Sequence, residues 1–257
     1  SAQYTMLWLL LPAFSILISI IIIPIMMRLA PSLGMVDQPD PRKVHSVPVP
    51  RVGGWGMVLG TIFSVAMFLP LTTEVQCYIF GAVVLLAFGA KDDQSELGHY
   101  PKFIGQFIAV LPLVVIGDVV VREIPFFGPI PESVGIPFTV FAIVGTINAL
   151  NHSDGLDGLA GGESLLSLAA LVILGLSADV PVVSYIGLAT IGGTIGFLRY
   201  NTHPARVFMG DSGSQFLGFT LGTLVVLLMQ RADGLSAALP ALILGLPIVD
   251  ILAVLGQ

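Results

Sequence analysis

The sequence predicts an all-α fold: a polytopic transmembrane helix bundle that forms one domain over residues 1–257. The first observation is the composition, because 55% of the 257 residues are hydrophobic and only 10% are charged, whereas a soluble domain carries about 25% charged residues. The second is that apolar runs long enough to cross a bilayer alternate with short polar strings. The third is that no Ser/Gly-rich linker divides the chain. These observations exclude an ordinary soluble domain.

Nine apolar windows are candidate membrane spans. In order, they are approximately Met6–Met27, Gly53–Leu71, Val75–Ala90, Phe103–Val121, Ile136–Ile147, Leu159–Leu176, Val182–Leu198, Gly213–Met229 and Ala237–Leu255. The first window is longer than the core of a signal peptide, so it predicts a spanning helix and not a cleaved leader. Each later window follows a string that contains charged residues, Pro or Gly, and such strings are typical of the loops between spans.

The basic residues predict the orientation of the bundle. If the first helix runs from the outside to the inside, eight of the ten Lys and Arg residues face the cytoplasm, and only Arg122 and Arg231 lie outside. The eight are Arg28, Arg42, Lys43, Arg51, Lys91, Lys102, Arg199 and Arg206. This distribution agrees with the positive-inside rule, and a count shifted by one helix would invert it.

Four polar strings then emerge on the cytoplasmic face. They are PDPRKVHSVPVPRVGG, KDDQSELGHYPK, NALNHSDGLDGL and RYNTHPARVFMGDSGS. The outer loops hold little beyond scattered acidic residues. Because the ligands of one site must be reached from one aqueous phase, this arrangement predicts a site for a charged substrate from the cytosol.

The string NALNHSDGLDGL carries a polar residue at every third position. The four residues are Asn148, Asn151, Asp154 and Asp157. A carboxylate in a membrane helix costs about 2.5–3.5 kcal/mol on insertion scales, so such residues usually serve a function. On a continuous helix the four side chains would spread over half the circumference, and Gly155 and Gly158 could let the backbone turn toward a ligand.

The string KDDQSELGHYPK ends the third predicted span. Asp92 and Asp93 are adjacent and do not share a helix face, so we expect one to point to the site and the other to a basic residue or a metal. Lys102 opens the fourth span, and Gln106 follows one turn later. This spacing predicts a cation and an amide presented to the same pocket.

The string RYNTHPARVFMGDSGS predicts a loop that leads into the eighth span. Its candidate site residues are Asn201, His203, Arg206, Phe208 and Asp211. Ser212 to Ser214 follow at a predicted helix start, where free backbone N–H groups favour an anion such as phosphate. Asp211 would hold a cation beside that anion. The GDSG pattern lacks the context of a serine nucleophile.

The string PDPRKVHSVPVPRVGG is a basic loop with Arg42, Lys43, His45 and Arg51. It fits either anionic lipid head groups or substrate phosphates, and the stiffening prolines favour phosphate. The four histidines are scattered, and Cys77 is the one cysteine, so no zinc site or internal disulfide is predicted. Carboxylates and amides instead favour Mg²⁺, with Mn²⁺ as the alternative. The residues therefore indicate phosphoryl transfer between a soluble and a lipidic substrate.

Together, in this order, the strings resemble the polyprenyl-phosphate N-acetylhexosamine-1-phosphate transferase family over nearly the whole chain. The resemblance implies transfer of a sugar 1-phosphate from a UDP-N-acetylhexosamine to undecaprenyl phosphate, with release of UMP, in the inner (plasma) membrane of a bacterium. The PVPRVGG form resembles the branch that uses UDP-N-acetylglucosamine for cell-envelope polysaccharides such as lipopolysaccharide or teichoic acid. We expect membrane lipids as further partners and no binding of nucleic acid. A homodimer is compatible with this expectation.

The resemblance also implies roles for individual residues. Asp211 would be the main magnesium ligand, with Asn151 beside it. Asp154 and Asp157 would lie by the nucleotide sugar, Asn201 and Phe208 by the uracil, and Asp92 and Asp93 by the lipid phosphate. The phosphate contacts would come from Lys43, His45, Arg51 and Lys102; Asn148 and Arg206 would complete the substrate site. The acceptor phosphate has a second pKa of about 6 and needs little activation, and both a direct and a covalent route stay open.

Three alternatives deserve comparison, and the resemblance leaves one gap. A peptidoglycan-type phospho-N-acetylmuramoyl-pentapeptide transferase has similar strings. A transporter would need polar residues on both sides of the membrane, and a CDP-alcohol phosphatidyltransferase would need an Arg that DGLDGLAGGES does not offer.

Family members continue into a histidine-rich cytoplasmic segment and at least one more helix, whereas the given residues stop at PIVDILAVLGQ, so we expect weak turnover from these residues alone.

Overall fold

The computed structural model describes residues 2–39, 47–124, 127–154, 157–232, 236 and 238–243. These residues form helices with four short strands. The helices are α1 Ala2–Leu33, α2 Gly53–Phe68, α3 Thr73–Ser95, α4 His99–Val115, α5 Glu132–Ser153, α6 Leu159–Ser177, α7 Pro181–Asn201, α8 Gly210–Arg231 and α9 Ala238–Ile243. Strands β1 (Val36–Asp37) and β2 (Val49–Pro50) pair antiparallel, as do β3 (Glu123–Ile124) and β4 (Gly128–Pro129).

Six of the helices in the described ranges are long and apolar enough to cross a membrane: α1, α3, α5, α6, α7 and α8. Helices α2 and α4 are shorter but also apolar. The predicted helical membrane bundle is therefore confirmed. The ninth predicted window, Ala237–Leu255, lies mostly outside the described residues, so the count of nine spans stays a prediction, as does the orientation.

Two helix bounds differ from the sequence prediction in ways that matter for the site. Helix α4 ends at Val115, not at Val121, because Gly117 and Asp118 turn the chain there, the aspartate with a φ of 57°. Helix α5 continues to Ser153, six residues beyond the predicted end at Ile147. Asn148 and Asn151 are therefore helical residues.

Helix α8 lies at the centre of the bundle, and nearly every side chain along it is buried. It packs against α2, α3, α5 and α6. Glycines allow very close approach: a Cβ added at Gly89 of α3 would lie 2.4 Å from Cα of Ser212, and one at Gly54 of α2 would lie 2.4 Å from the backbone nitrogen of Gly213. Such contacts are typical of membrane helix interfaces, and they fix the first turn of α8.

The two ends of the bundle differ in character. The last residues of α3, α5 and α7 and the first residues of α4, α6 and α8 form what we call the polar end, because the predicted polar strings meet there. At the opposite end, Arg231 of α8 pairs with Glu74 of α3, and Gln230 donates a hydrogen bond to the carbonyl of Asp118 at 2.7 Å. Between the ends, α1 and α4 expose apolar side chains, as lipid-facing helices do.

Candidate active site

Three strings distant in sequence meet at Asp211, in the first turn of α8. The Lys102 Nζ donates a hydrogen bond to Oδ2 of Asp211 at 2.8 Å. The Asn151 Nδ2 donates to Oδ1 of Asp211 at 2.8 Å and also to Ser214 Oγ at 2.8 Å. Both oxygens of the Asp211 carboxylate are thus held by side chains from other helices. The three groups are only partly buried, so a ligand at the polar end can reach them.

Lys102 also forms an ion pair with Asp92, from the last turn of α3. The Asp92 side chain is buried, and its Oδ1 accepts a hydrogen bond from the backbone N–H of Leu97. One ammonium group therefore lies between two carboxylates. The structure brings together Asp92, Lys102, Asn151 and Asp211, as the strings predict for residues that share a site.

Asp93 has a different environment from its neighbour, because it caps helix α8. Its carboxylate accepts hydrogen bonds from the backbone N–H groups of Asp211 (2.8 Å) and Ser212 (3.3 Å) and from the Ser212 hydroxyl (3.1 Å). A negative charge is favourable at a helix N-terminus. The sequence expectation that the first N–H groups of α8 are free for phosphate is corrected for Ser212, whose N–H binds a side-chain carboxylate from α3.

Gly210 makes this capping contact possible. Its φ is +73°, a conformation that side-chain-bearing residues rarely adopt. A Cβ at this position would lie 2.6 Å from Oδ2 of Asp93. The glycine that begins α8 is thus required both by the backbone turn and by the carboxylate packed against it.

The polar residues of NALNHSDGLDGL do not share one helix, because α5 ends at Ser153. Asn148 lies one turn deeper than Asn151 and exchanges hydrogen bonds with Gln106 of α4. The two amides thus pair with each other, and their contact with the substrate stays a prediction. Asp154 follows the end of α5; burial, together with the negative charge of Asp211, raises the pKa of this carboxyl to about 7.

Hydrogen bonds of Asp157 and Asn201 connect the loop before α6 with the loop before α8. The Asp157 carboxylate accepts a hydrogen bond from the backbone N–H of Ala205 at 3.2 Å and lies 3.1 Å from Nδ1 of His203. The Asn201 amide accepts from the N–H of Gly158 and donates to the carbonyl of Val207, both at 2.9 Å. Asn201 is buried, and both its amide oxygen and its amide nitrogen make hydrogen bonds; its contact with uracil stays a prediction.

The remaining predicted residues lie around these loops. Phe208 forms a parallel bridge with Arg51, and its N–H donates to the carbonyl of Pro50 at 2.8 Å. The Arg51 guanidinium pairs with Asp37 across the β1–β2 ribbon. The exposed Arg206 guanidinium lies 5.3 Å from the ring centroid of Tyr200. The other basic-loop residues, Arg42, Lys43 and His45, lie outside the described residues.

The oxygen donors of this site suit a hard cation. Within the described ranges, no group of three or more His, Cys, Asp or Glu side chains is placed to hold a metal. Mg²⁺, however, commonly binds through one or two carboxylates and completes its shell with water and substrate phosphates. Asp211 with the Asn151 amide is a donor set of that kind, so the residues fit a magnesium ion shared with a phosphate ligand.

Sequence reasoning missed Asp37 and Gln215, and for Ser214 it expected a backbone contact but not the role of its side chain. Asp37 pairs with Arg51, and Ser214 accepts a hydrogen bond from Asn151. Gln215 is buried one turn after Asp211 and contacts Gln106. A signal for Gln215 was present, since an amide inside an apolar span usually has a polar partner.

Comparison with known proteins gives consistent matches. Residues 75–229 match the family model for glycosyl transferase family 4. A "probable undecaprenyl-phosphate N-acetylglucosaminyl 1-phosphate transferase" of Bacillus subtilis is 38% identical over 92% of this chain and 67% of the relative. A "decaprenyl-phosphate N-acetylglucosaminephosphotransferase" of Mycobacterium tuberculosis is 37% identical over 75% of this chain and 53% of its own length.

A second kind of relative also matches. A "phospho-N-acetylmuramoyl-pentapeptide-transferase" of Chlamydia muridarum is 37% identical over 70% of this chain and 61% of its own length. The chain therefore spans between about half and two thirds of the length of the curated relatives it matches.

Proposed function

This chain belongs to glycosyl transferase family 4, a family of polyprenyl-phosphate sugar-phosphate transferases, and we propose on that premise that it transfers N-acetylglucosamine 1-phosphate from UDP-N-acetylglucosamine to undecaprenyl phosphate. UMP is the second product. The resemblance noted in the sequence is thereby confirmed at the level of the family. The observation that carries the proposal is the contact of Asp211 with both Lys102 and Asn151 at the polar end.

The residues around Asp211 would divide the work of binding a diphosphate. Asp211 and Asn151 would hold Mg²⁺, which supplies positive charge beside the diphosphate and favours departure of UMP. The Lys102 ammonium group, which contacts Asp211, would contact the same phosphates. Asp154 and Asp157 lie in the segment between α5 and α6, where we place the nucleotide sugar.

The acceptor phosphate attacks the phosphorus that carries the sugar, and the bond from that phosphorus to the UMP oxygen breaks. A phosphate monoester is mostly a dianion at cytosolic pH, so no proton has to be removed first. Asp92, paired with Lys102, would orient the acceptor. We favour direct transfer over a covalent aspartyl intermediate, because Asp92 and Asp93 are both held by hydrogen bonds or ion pairs and are weak nucleophiles in that state.

A peptidoglycan-type transferase is the second candidate, and the Chlamydia relative favours it. The first candidate is preferred because the Bacillus relative matches 92% of this chain, against 70% for the Chlamydia relative. A transporter is disfavoured by the family match. It is also disfavoured because the polar residues at Asp211 and the Glu74–Arg231 ion pair lie at opposite ends of the bundle, whereas a transport path needs polar residues that continue from one side to the other.

The polar end would face the cytoplasm of a bacterial cell, because the basic residues concentrate there. Lys43 and His45 would extend the phosphate contacts from the basic loop, and surrounding lipids would cover α1 and α4. The homodimer stays a prediction.

A donor panel tests the proposal. Purified full-length protein with Mg²⁺ and undecaprenyl phosphate is expected to release UMP from UDP-N-acetylglucosamine and not from UDP-N-acetylmuramoyl-pentapeptide. Release from the pentapeptide donor alone would select the second candidate. Release from neither donor would overturn the proposed function.

A further inference from the structure

A cluster of three amides lies inside the bundle beneath the charged residues. Gln106 of α4 and Asn148 of α5 form a reciprocal pair: Gln106 Nε2 lies 3.3 Å from Asn148 Oδ1, and Asn148 Nδ2 donates to Gln106 Oε1 at 2.8 Å. Gln106 Nε2 also approaches Gln215 Oε1 of α8 at 3.4 Å. Gln106 and Gln215 are almost completely buried. We call these three residues the amide layer.

Each member of the amide layer lies one turn deeper on the helix that carries a site residue. Gln106 follows Lys102 by four residues on α4, and Gln215 follows Asp211 by four on α8. On α5, Asn148 precedes Asn151 by three residues. Residues three or four apart share a helix face. The amide layer therefore repeats, one turn below, the arrangement of the groups that meet at Asp211.

The hydrogen bonds of the layer leave little freedom to the three helices. Both the Nε2 and the Oε1 atoms of Gln106 make hydrogen bonds. Asn148 Nδ2 also donates to the carbonyl of Val144 at 2.8 Å. Hydrogen bonds require a narrow range of distance and angle, whereas apolar side chains tolerate sliding. A reciprocal amide pair thus selects one axial position of α4 relative to α5.

We propose that Gln106, Asn148 and Gln215 are positioning residues, which set the axial register of α4, α5 and α8 so that Lys102, Asn151 and Asp211 converge. This inference rests on the proposed function. It assigns no contact with substrate to the amide layer. Its effect is transmitted through the site residues one turn above.

The test replaces Gln106 with an apolar residue of similar length, Gln106→Met, in the full-length protein. A misplacement of about 1 Å caused by a mutation far from the chemistry can cost about 100-fold in rate, so we expect the turnover number to fall by about 10-fold or more. The Mg²⁺ concentration that gives half-maximal UMP release should also rise. A smaller amount of folded protein would lower the amplitude of that titration but would not move its midpoint.

The matched control is Tyr78→Phe, which removes a buried hydrogen bond of 2.8 Å to Thr220 between α3 and the same helix α8. It is expected to leave the Mg²⁺ midpoint unchanged. The double variant Gln106→Met/Asn148→Leu should be no more than about twofold worse than the worse single variant, because residues in one hydrogen-bonded unit are not additive. Gln215→Leu provides a second variant if Gln106→Met does not fold.

The outcomes separate the two proposals. An active wild type whose Gln106→Met and Gln215→Leu variants keep the wild-type Mg²⁺ midpoint would overturn the positioning role alone. Multiplicative losses in the double variant would also overturn it. A wild-type protein that releases no UMP from any UDP-sugar would overturn the proposed function, and the positioning role with it.

Discussion

Lys102 and Asp211 are separated by 109 residues in sequence, yet the lysine ammonium donates a 2.8 Å hydrogen bond to the aspartate carboxylate. The contact joins the first turn of α4 to the first turn of α8. It lies at the polar end, where both side chains are partly buried and screening by water is reduced. Both groups are therefore sensitive positions for substitution.

Asp211→Ala is expected to lower UMP release by about 100-fold or more, because it removes an electrostatic contact to the reacting phosphates. The measurement is UMP release by purified protein, with folding checked by size-exclusion chromatography. Asp118→Asn, at an exposed aspartate at the opposite end of the bundle, is the control and should stay active. Normal rates in Asp211→Ala would remove the metal assignment.

Lys102→Met is expected to reduce turnover by about 100-fold, since it removes a positioned cation next to the diphosphate. It also leaves the carboxylates of Asp92 and Asp211 without their shared partner. Steady-state rates over a range of donor concentrations would measure the effect. The control is Lys91→Met, an exposed lysine of α3 that contacts Gln94; a Lys102→Met enzyme as active as this control would contradict the role of the ammonium group.

Gly210→Ala should destabilise the start of α8. The alanine would be forced into a positive φ, which costs about 1–3 kcal/mol, and its Cβ would lie 2.6 Å from Oδ2 of Asp93. Thermal unfolding in detergent and UMP release should both decline. Gly145→Ala on α5, where an added Cβ would meet nothing within 4 Å, should be tolerated, and equal losses in both variants would argue against the capping contact.

Asp154→Asn should make the protein more stable at pH 8 relative to wild type, and much less so at pH 5. Burial raises the pKa of Asp154 in the folded protein to about 7, from its ordinary value of 3.8. The unfolded chain therefore releases this proton at lower pH, and wild-type stability falls as pH rises between these two pKa values. The measurement is the melting temperature of both proteins, without substrate, across this range. A difference that does not grow with pH would contradict the prediction.

The general architecture could be predicted from the sequence because hydropathy and charge act locally. Apolar windows of about 20 residues cross the bilayer as helices, because a helix satisfies its backbone polar groups within one segment. The orientation of the windows then predicts that the four polar strings lie on the same face of the bundle. The meeting of Asp92, Lys102, Asn151 and Asp211 follows from that topology.

The individual partners could not be predicted, because they depend on how helices are rotated and shifted against each other. Asp92 and Asp93 are adjacent in the sequence, but one pairs with a lysine of α4 and the other caps α8. Asn148 pairs with Gln106, which lies on a different helix, and nothing in the sequence indicated that partner. A helix-spaced pattern tells which residues share a face, but it does not identify the neighbour that this face meets.

The capping of α8 by Asp93 has a consequence for biosynthesis. An N-terminal cap is commonly supplied by the side chain of the residue that directly precedes the helix. Here the carboxylate that completes α8 belongs to α3, which is synthesised 118 residues earlier. The Asp93 carboxylate is therefore synthesised before the backbone N–H groups that it binds. When α8 is inserted, it can pack against helices that already include the carboxylate capping its N-terminus.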